Sequence, residues 1–414
     1  MQEVKFNYQN ICIEFSERDM LIRNYFLFTG TERFTCVATL LLNGGKIEEC
    51  IVPTAVAPQE CGSYPIPFKR REKAGEYTVD VSFRLKENTA WAAAGHEIAF
   101  GQTVYAVKET AVSKEYKPMR VIYGGWNIGI IGDGFSMQFD LRRGAISSYQ
   151  CGGAELIKSA PVPNFWRPPT ENDRGSLMAA RYGQWKLASM YSGIRVPSDD
   201  QPYGIYTKPE IAEAKYSIML KFRLHLPSLP VVLCFMSYTV HSDGTVDVTH
   251  ICEPVKGLPG MPAFGVMLKM DAGFDRLSWY GLGPQETYCD RMKGGRLGIY
   301  HNFVGDNMAR YLRPQECGSH AGVRWAAVRD KEGRGLMFSG EPMEFSALHH
   351  TPYEIENADH IYELPPVYNT VIRLGMQMGV GGDDSWGART HPEYLLDASN
   401  GKEFTFHMKG LKNG

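Results

Sequence analysis

A chain of 414 residues is too long for one ordinary domain, and at roughly 100–200 residues per domain two or three are expected. Its 44 basic and 46 acidic side chains leave a formal net charge of -2, which gives no field favouring nucleic acid or an acidic membrane surface. Hydrophobic content of 43% with 22% charged residues suits a globular protein with a sizeable core, and no run approaches the ~20 apolar residues of a membrane-spanning helix.

In chain order, MQEVKFNYQN lacks the apolar centre of an export leader. FTCVATLLLNGGKIEECIV (34–52) reads as two strands joined through an Asn-Gly-Gly turn, whose residues tolerate the positive φ a hairpin needs. GEYTVDVSFRL (75–85) alternates cleanly. The stretch 103–122 is charged, lacks turn glycines and separates two glycine-bounded strand sets, so a boundary is expected there. Residues 1–110 have the size and strand spacing of an immunoglobulin-like sandwich without its Cys…Trp…Cys pin, and residues 120–414 form one unusually large β unit or two closely packed sheets. Within it, IGIIGDGFSMQFD (128–140) reads as a hairpin, and SLMAARYGQWKLASMY (176–191) as one helix presenting Leu177, Ala180, Trp185, Ala188 and Met190. YSIMLKFRLHL (216–226) and VVLCFMSYTVHSDGTVDVTHI (231–251) alternate again, the latter turning at Ser-Asp-Gly. No 20–50-residue repeat and no regular strand–helix alternation occurs, which excludes solenoids, a (β/α)₈ barrel and a Rossmann unit. The fold class is all-β.

GxGxxG after a strand, a P-loop, GxSxG and HExxH are all missing. The nine cysteines are scattered with no CxxC spacing, which predicts reduced thiols in a cytoplasm and no zinc ribbon. Eleven evenly spread histidines make no metal site, and adjacent His349 and His350 would point to opposite faces of a strand. No metal ligands are expected. Three segments are dense in polar and aromatic groups. In NFWRPPTENDRG (164–175), prolines stiffen the chain, Phe165 and Trp166 can anchor it, and Glu171, Asn172 and Asp173 present acceptors; it also reads as a capping loop into the following helix. In WYGLGPQETYCDR (279–291), Glu286, Asp290 and Arg291 can pair locally across a tight turn. In MGVGGDDSWG (378–387), glycines flank Val380, Asp383 and Asp384 can brace the loop, and Trp386 is poorly placed for core packing but offers a flat face to a sugar.

WRPPTENDRG, GLGPQETYCDR and GVGGDDSW resemble, in the same order and at compatible spacing, the C-terminal portion of the lac-type β-galactosidases of glycoside hydrolase family 2. YQNICIE (8–14), RNYFLFTG (23–30) and GEYTVDVSFRLKENTAWAAAGHEIAFGQ (75–102) extend the resemblance over essentially the whole chain. It implies that residues 1–110 are the fourth domain of such enzymes, an immunoglobulin-like β-sandwich, and residues 120–414 the fifth, a galactose-mutarotase-like β-supersandwich. In this family two glutamates of a TIM barrel, an acid/base and a nucleophile roughly 5–5.5 Å apart, carry out a retaining hydrolysis. No stretch of this chain can form that barrel, so no catalytic residue is expected in it and the chain alone should be inactive.

The resemblance further implies that Trp386 reaches into the barrel mouth as an aromatic platform at the aglycone subsite for β-D-galactosides such as lactose. Asp383, Asp384 and Ser385 would hold its loop. The implied partner is the catalytic barrel, in cis or as a large subunit, within a possible oligomer. No cofactor is implied for this chain; Mg and Na used by the full enzyme would belong to other domains. His96 and Glu97 match the family without a chemical role, and Thr170-Glu171 departs from the Leu/Thr-Asp common there, which leaves Glu171, Asn172 and Asp173 without an assigned active-site contact. Two other readings stand beside this one. A free-standing aldose 1-epimerase would pair His250 or His320 with Glu286 or Glu354, and a carbohydrate-binding module would use Trp386 alone.

Overall fold

Antiparallel strands are the dominant element of the computed structural model, which describes residues 1–108, 117–198 and 200–412. The chain is all-β, as its alternation predicts, and divides into two compact units.

The first unit takes in the N-terminal residues together with Leu282–Gln285 and Arg291–Ile299. One sheet holds Ile11–Phe15, Asp19–Asn24 and Cys61–Pro65; the other runs Gly45–Val52, Phe34–Leu42, Gly75–Leu85, Glu97–Val107. Alternate residues of both sheets, among them Ile11, Ile22, Leu40, Val81 and Phe83, meet in one buried core, the arrangement of a two-sheet sandwich. The hairpin of Phe34–Leu42 and Gly45–Val52 turns on Asn43 (φ 49°) and Gly44 (φ 81°), the pair of left-handed residues that matches the twist of the flanking strands. Arg296 joins this unit by pairing with Asp80 and Glu97 and lying 3.9 Å over the Phe100 ring. Burial pushes Asp80 up to about 6 despite Arg296. The first unit thus also draws residues from far along the chain. Strands occupy residues 103–107 and 120–122 of the stretch 103–122, while 109–116 lies outside the described residues. The helix Gln2–Tyr8 was not foreseen: it buries none of its residues fully, so no apolar stripe announced it.

In the second unit a five-stranded sheet runs in the order Ala154–Glu155, Ala145–Cys151, Phe135–Asp140, Asn127–Gly132, Arg120–Tyr123. It packs on a twelve-stranded sheet, whose main path runs Ser159–Asn164, Ala263–Asp271, Asn369–Gln377, Gly335–Leu348, Lys402–Leu411, Val246–Cys252, Leu233–His241, Ser217–His225, Glu210–Ala214. Ile128, Ile130 and Phe139 from the smaller sheet share a core with Leu220, Tyr238, Val248 and Phe406 from the larger one, and Phe139 meets Tyr238 edge-on at 5.4 Å. Tyr149 stitches the sheets by donating to the Gly244 carbonyl and accepting from the Gly410 N–H, both at 2.6 Å.

The single helix expected over 176–191 is broken into Met178–Tyr182 and Gln184–Tyr191, preceded by Glu171–Gly175. Leu177 adopts φ 57°, which ends one helical segment before the next begins, and Gly183 separates the other two. Of the five residues expected on the apolar face, Trp185 and Ala188 are buried, whereas Leu177, Ala180 and Met190 are exposed; Met178 takes the inward place instead.

Candidate functional site

Beyond the strand Asn369–Gln377, the chain leaves the large sheet as a glycine-rich loop that ends in Trp386, 91% exposed. Local bonds set its tip. Asp384 Oδ1 accepts the N–H groups of Trp386 (2.8 Å) and Ala388 (3.2 Å), and Gly387 takes φ 133° between them. Asp383 contacts His391 at 3.0 Å and raises its pKa.

The base of the loop is held by the other two segments singled out in the sequence. Arg167 Nη2 donates to the Gly379 carbonyl at 3.0 Å, and the Thr170 hydroxyl to that of Val380 at 3.0 Å. Asp290 accepts the Gly381 N–H at 2.9 Å. Asn172 Nδ2 donates to the Asp384 carbonyl at 2.7 Å. Gly175 is required at its position, because a Cβ there would stand 2.2 Å from the Ser385 carbonyl oxygen. Gly382 likewise serves close backbone approach, since a Cβ there would stand 2.6 Å from the Ala388 carbonyl oxygen, and the loop is built from three distant stretches of sequence.

Glu171, Asn172 and Asp173 do not act as one acceptor cluster. Asp173 is buried, pairs with Arg167 (2.5 and 3.3 Å) and closes a capping box with Thr170. Asn172 serves the loop, and Glu171 pairs with Arg174 at 3.2 Å on the surface. Burial opposes the Arg167 charge, but Asp173 beside it raises its pKa overall. In WYGLGPQETYCDR, Asp290 turns to the loop while Glu286 accepts from the Gly318 N–H (2.7 Å) and the Tyr311 hydroxyl (3.4 Å).

Behind the loop base lies a second buried pair, Arg373 with Glu316, at 2.7 and 2.8 Å. Close by, burial first and the Glu316 charge second push Glu344 up to about 8, so it carries its proton at neutral pH. The unfolded chain loses that proton at the ordinary carboxylate value, so stability falls as pH rises from there to about 8 and then levels. Glu344→Gln should abolish this slope. Urea unfolding at pH 5 and pH 8 should show the variant gaining on the parent by up to ~4 kcal/mol, at about 1.4 kcal/mol per unit; parallel profiles would contradict a buried protonated Glu344.

Other candidates have structural places. His349 bonds to the Asn369 carbonyl and His350 to that of Pro365. In the first unit, His96 meets Trp91 edge-on, and Glu97 accepts from Lys5, Ser82 and Arg296; burial opposes its charge, yet these partners hold it below the usual range. His250 and His320 are buried (0% and 1% exposed), so neither faces an open sugar pocket. Glu354 is committed to a capping box with Thr351. Sequence spacing missed one cluster: Cys234, His250 and Cys252 converge on facing strands, with their donor atoms within 4.8 Å of one another. Counting outward from the Ser-Asp-Gly turn would have found it, since both cysteines lie nine residues from Asp243.

Residues 131–408, which contain Arg167, Asp290 and the Trp386 loop, match the family model described as β-galactosidase small chain. A β-galactosidase small subunit from Latilactobacillus sakei is 32% identical over 313 residues, covering 70% of this chain and 98% of that protein. The chain belongs to the β-galactosidase family. Residues 20–106 match a second model, β-galactosidase domain 4. The β-galactosidases of Halalkalibacterium halodurans and Priestia megaterium are 37% and 34% identical over 99% of this chain, which spans 40% and 39% of their respective lengths. A solved galactose 1-epimerase from Lactobacillus acidophilus overlays 72% of the chain at a TM-score of 0.40 and 11% identity. Among the described residues no helix is long and apolar enough to cross a membrane.

Proposed function

We propose that this chain is the non-catalytic part of a β-galactosidase acting on terminal β-D-galactosides such as lactose, with hydrolysis performed by a TIM barrel in cis or on a large subunit. The observation that carries the reading is Trp386. A fully formed loop, hydrogen-bonded at its base by Arg167, Thr170, Asn172 and Asp290, holds an indole 91% exposed to solvent. Water is a poor neighbour for such a surface, and an aromatic face with a free N–H suits the apolar side of a sugar ring or aglycone. Bracing the loop before substrate arrives lowers the ordering cost of binding. Asp384 fixes the Trp386 backbone, Asp383 ties the loop to His391, and Ser385 packs its carbonyl against Gly175. In this role the chain orients and covers substrate, while paired carboxylates elsewhere make and break the glycosidic bond.

The test is an assay of the pure chain with a nitrophenyl β-galactoside, beside a galactose mutarotation assay. Both should stay at the buffer rate. Galactoside turnover above background would overturn the non-catalytic role, and mutarotation would favour an epimerase.

A further inference from the structure

The buried Cys234–His250–Cys252 cluster plays no part in the Trp386 loop. Strands Leu233–His241 and Val246–Cys252 pair antiparallel, with Cys234 directly opposite Cys252 and Met236 directly opposite His250. Residues two apart on a strand share a face, so all four side chains lie on the inner face, each no more than 3% exposed. Cys234 Sγ stands 3.0 Å from His250 Nε2 and 3.2 Å from Cys252 Sγ, and Cys252 Sγ stands 3.8 Å from His250 Nε2. His250 is fixed by aromatic packing, stacked on Phe264 at 4.5 Å and edge-on to Phe165 at 5.3 Å.

We propose that Cys234, His250 and Cys252 form a binding site for one thiophilic d¹⁰ cation of the zinc type. Three arguments support it. The first is fit. A triangle with sides of 3.0, 3.2 and 3.8 Å has all its corners about 2.0 Å from one point in its plane. Zinc–nitrogen and zinc–sulfur bonds are about 2.0–2.1 and 2.3 Å, so an ion just out of that plane reaches all three donors with little movement. The second is charge. Two thiolates and a neutral imidazole cancel a divalent ion, and a neutral centre costs far less to bury than an uncompensated charge. The third is donor softness, since thiolate and imidazole together select zinc or copper(I) over magnesium or calcium. Binding releases the two thiol protons and leaves the His250 proton on Nδ1, which has no hydrogen-bond partner. That orphan donor weakens the site relative to one with a complete outer shell.

The experiment refolds the whole chain from denaturant under anaerobic reducing conditions with zinc(II), cobalt(II) or copper(I), then measures metal content after gel filtration. One equivalent of zinc per chain should remain, cobalt should give an intense sulfur-to-metal charge-transfer band, and zinc should raise the thermal midpoint. A chain carrying Cys234→Ala and Cys252→Ala, checked for folding by circular dichroism, should lose all three effects. Should that variant fail to fold, His250→Phe, which keeps the ring stacking, supplies the same comparison. Copper(I) held in place of zinc keeps the site and changes the ion. Metal-free parent chain after refolding with every ion, equal binding by a folded variant, or a mass lower by two hydrogens with no metal would each overturn the proposal, the last by showing a thiol pair that closes to a disulfide.

Discussion

Replacing Arg167 by alanine should cost about 3–5 kcal/mol of stability, because it breaks a buried ion pair. Arg167 is 0% and Asp173 3% exposed in their side chains, so truncation strands a carboxylate in a site from which water is excluded. It also removes the donor to the Gly379 carbonyl. The contrast is a pair such as Lys117–Asp133, with side chains 74% and 64% exposed, where loss should amount to about 0–1 kcal/mol. The control is the double variant Arg167→Met with Asp173→Asn, which removes both charges but keeps an acceptor for the Thr170 N–H. It should recover more than half of the loss in urea unfolding. A single variant within about 1 kcal/mol of the parent would show that the pair does not brace the loop base.

In the complete enzyme, Trp386→Ala should weaken substrate binding by about 5- to 150-fold, because burying one face of an aromatic side chain contributes on the order of 1–3 kcal/mol. The effect should fall mainly on KM and on the affinity of inhibitors that occupy the aglycone side. The bond-breaking step should change less if, as proposed, its carboxylates belong to the barrel. Trp386→Phe should keep part of the affinity through its remaining apolar face. The isolated chain should unfold at the same urea concentration with either substitution, because Trp386 is 91% exposed and its side chain packs on little. Unchanged KM for Trp386→Ala in the complete enzyme would remove the tryptophan from the substrate site.

Local chemistry made much of the fold legible. Asn43-Gly44, Asp133-Gly134 and Ser242-Asp243-Gly244 all form hairpin turns where their residue types demand them, and period-two alternation marks strands such as Gly75–Leu85 and Ser217–His225. The segment 176–191 shows where such reasoning stops. Its composition favours a helix, but Leu177 adopts a left-handed turn, which has no signature in a leucine. Arg296 was illegible for another reason: its partners Asp80 and Glu97 lie about 200 residues away, and ion pairs over that distance leave no periodic trace. The loop presents both cases together. Its glycines, aspartates and tryptophan stand out in sequence, whereas the donors beneath it, Arg167 and Asn172, and the acceptor Asp290 become its supports only once the sheet is folded. The Cys234–His250–Cys252 cluster was hidden because metal spacing was sought along the chain, and these donors meet across a hairpin.

The central claim is that this chain completes a galactosidase whose carboxylates it does not contain. It is tested most directly by titrating the chain into the separately produced catalytic barrel of the same enzyme while following hydrolysis of lactose and a nitrophenyl galactoside. The account predicts that activity rises with added chain and saturates at one equivalent, and that Trp386→Ala chain assembles equally well but leaves a higher KM. A barrel equally active with and without the chain, on both substrates, would contradict it.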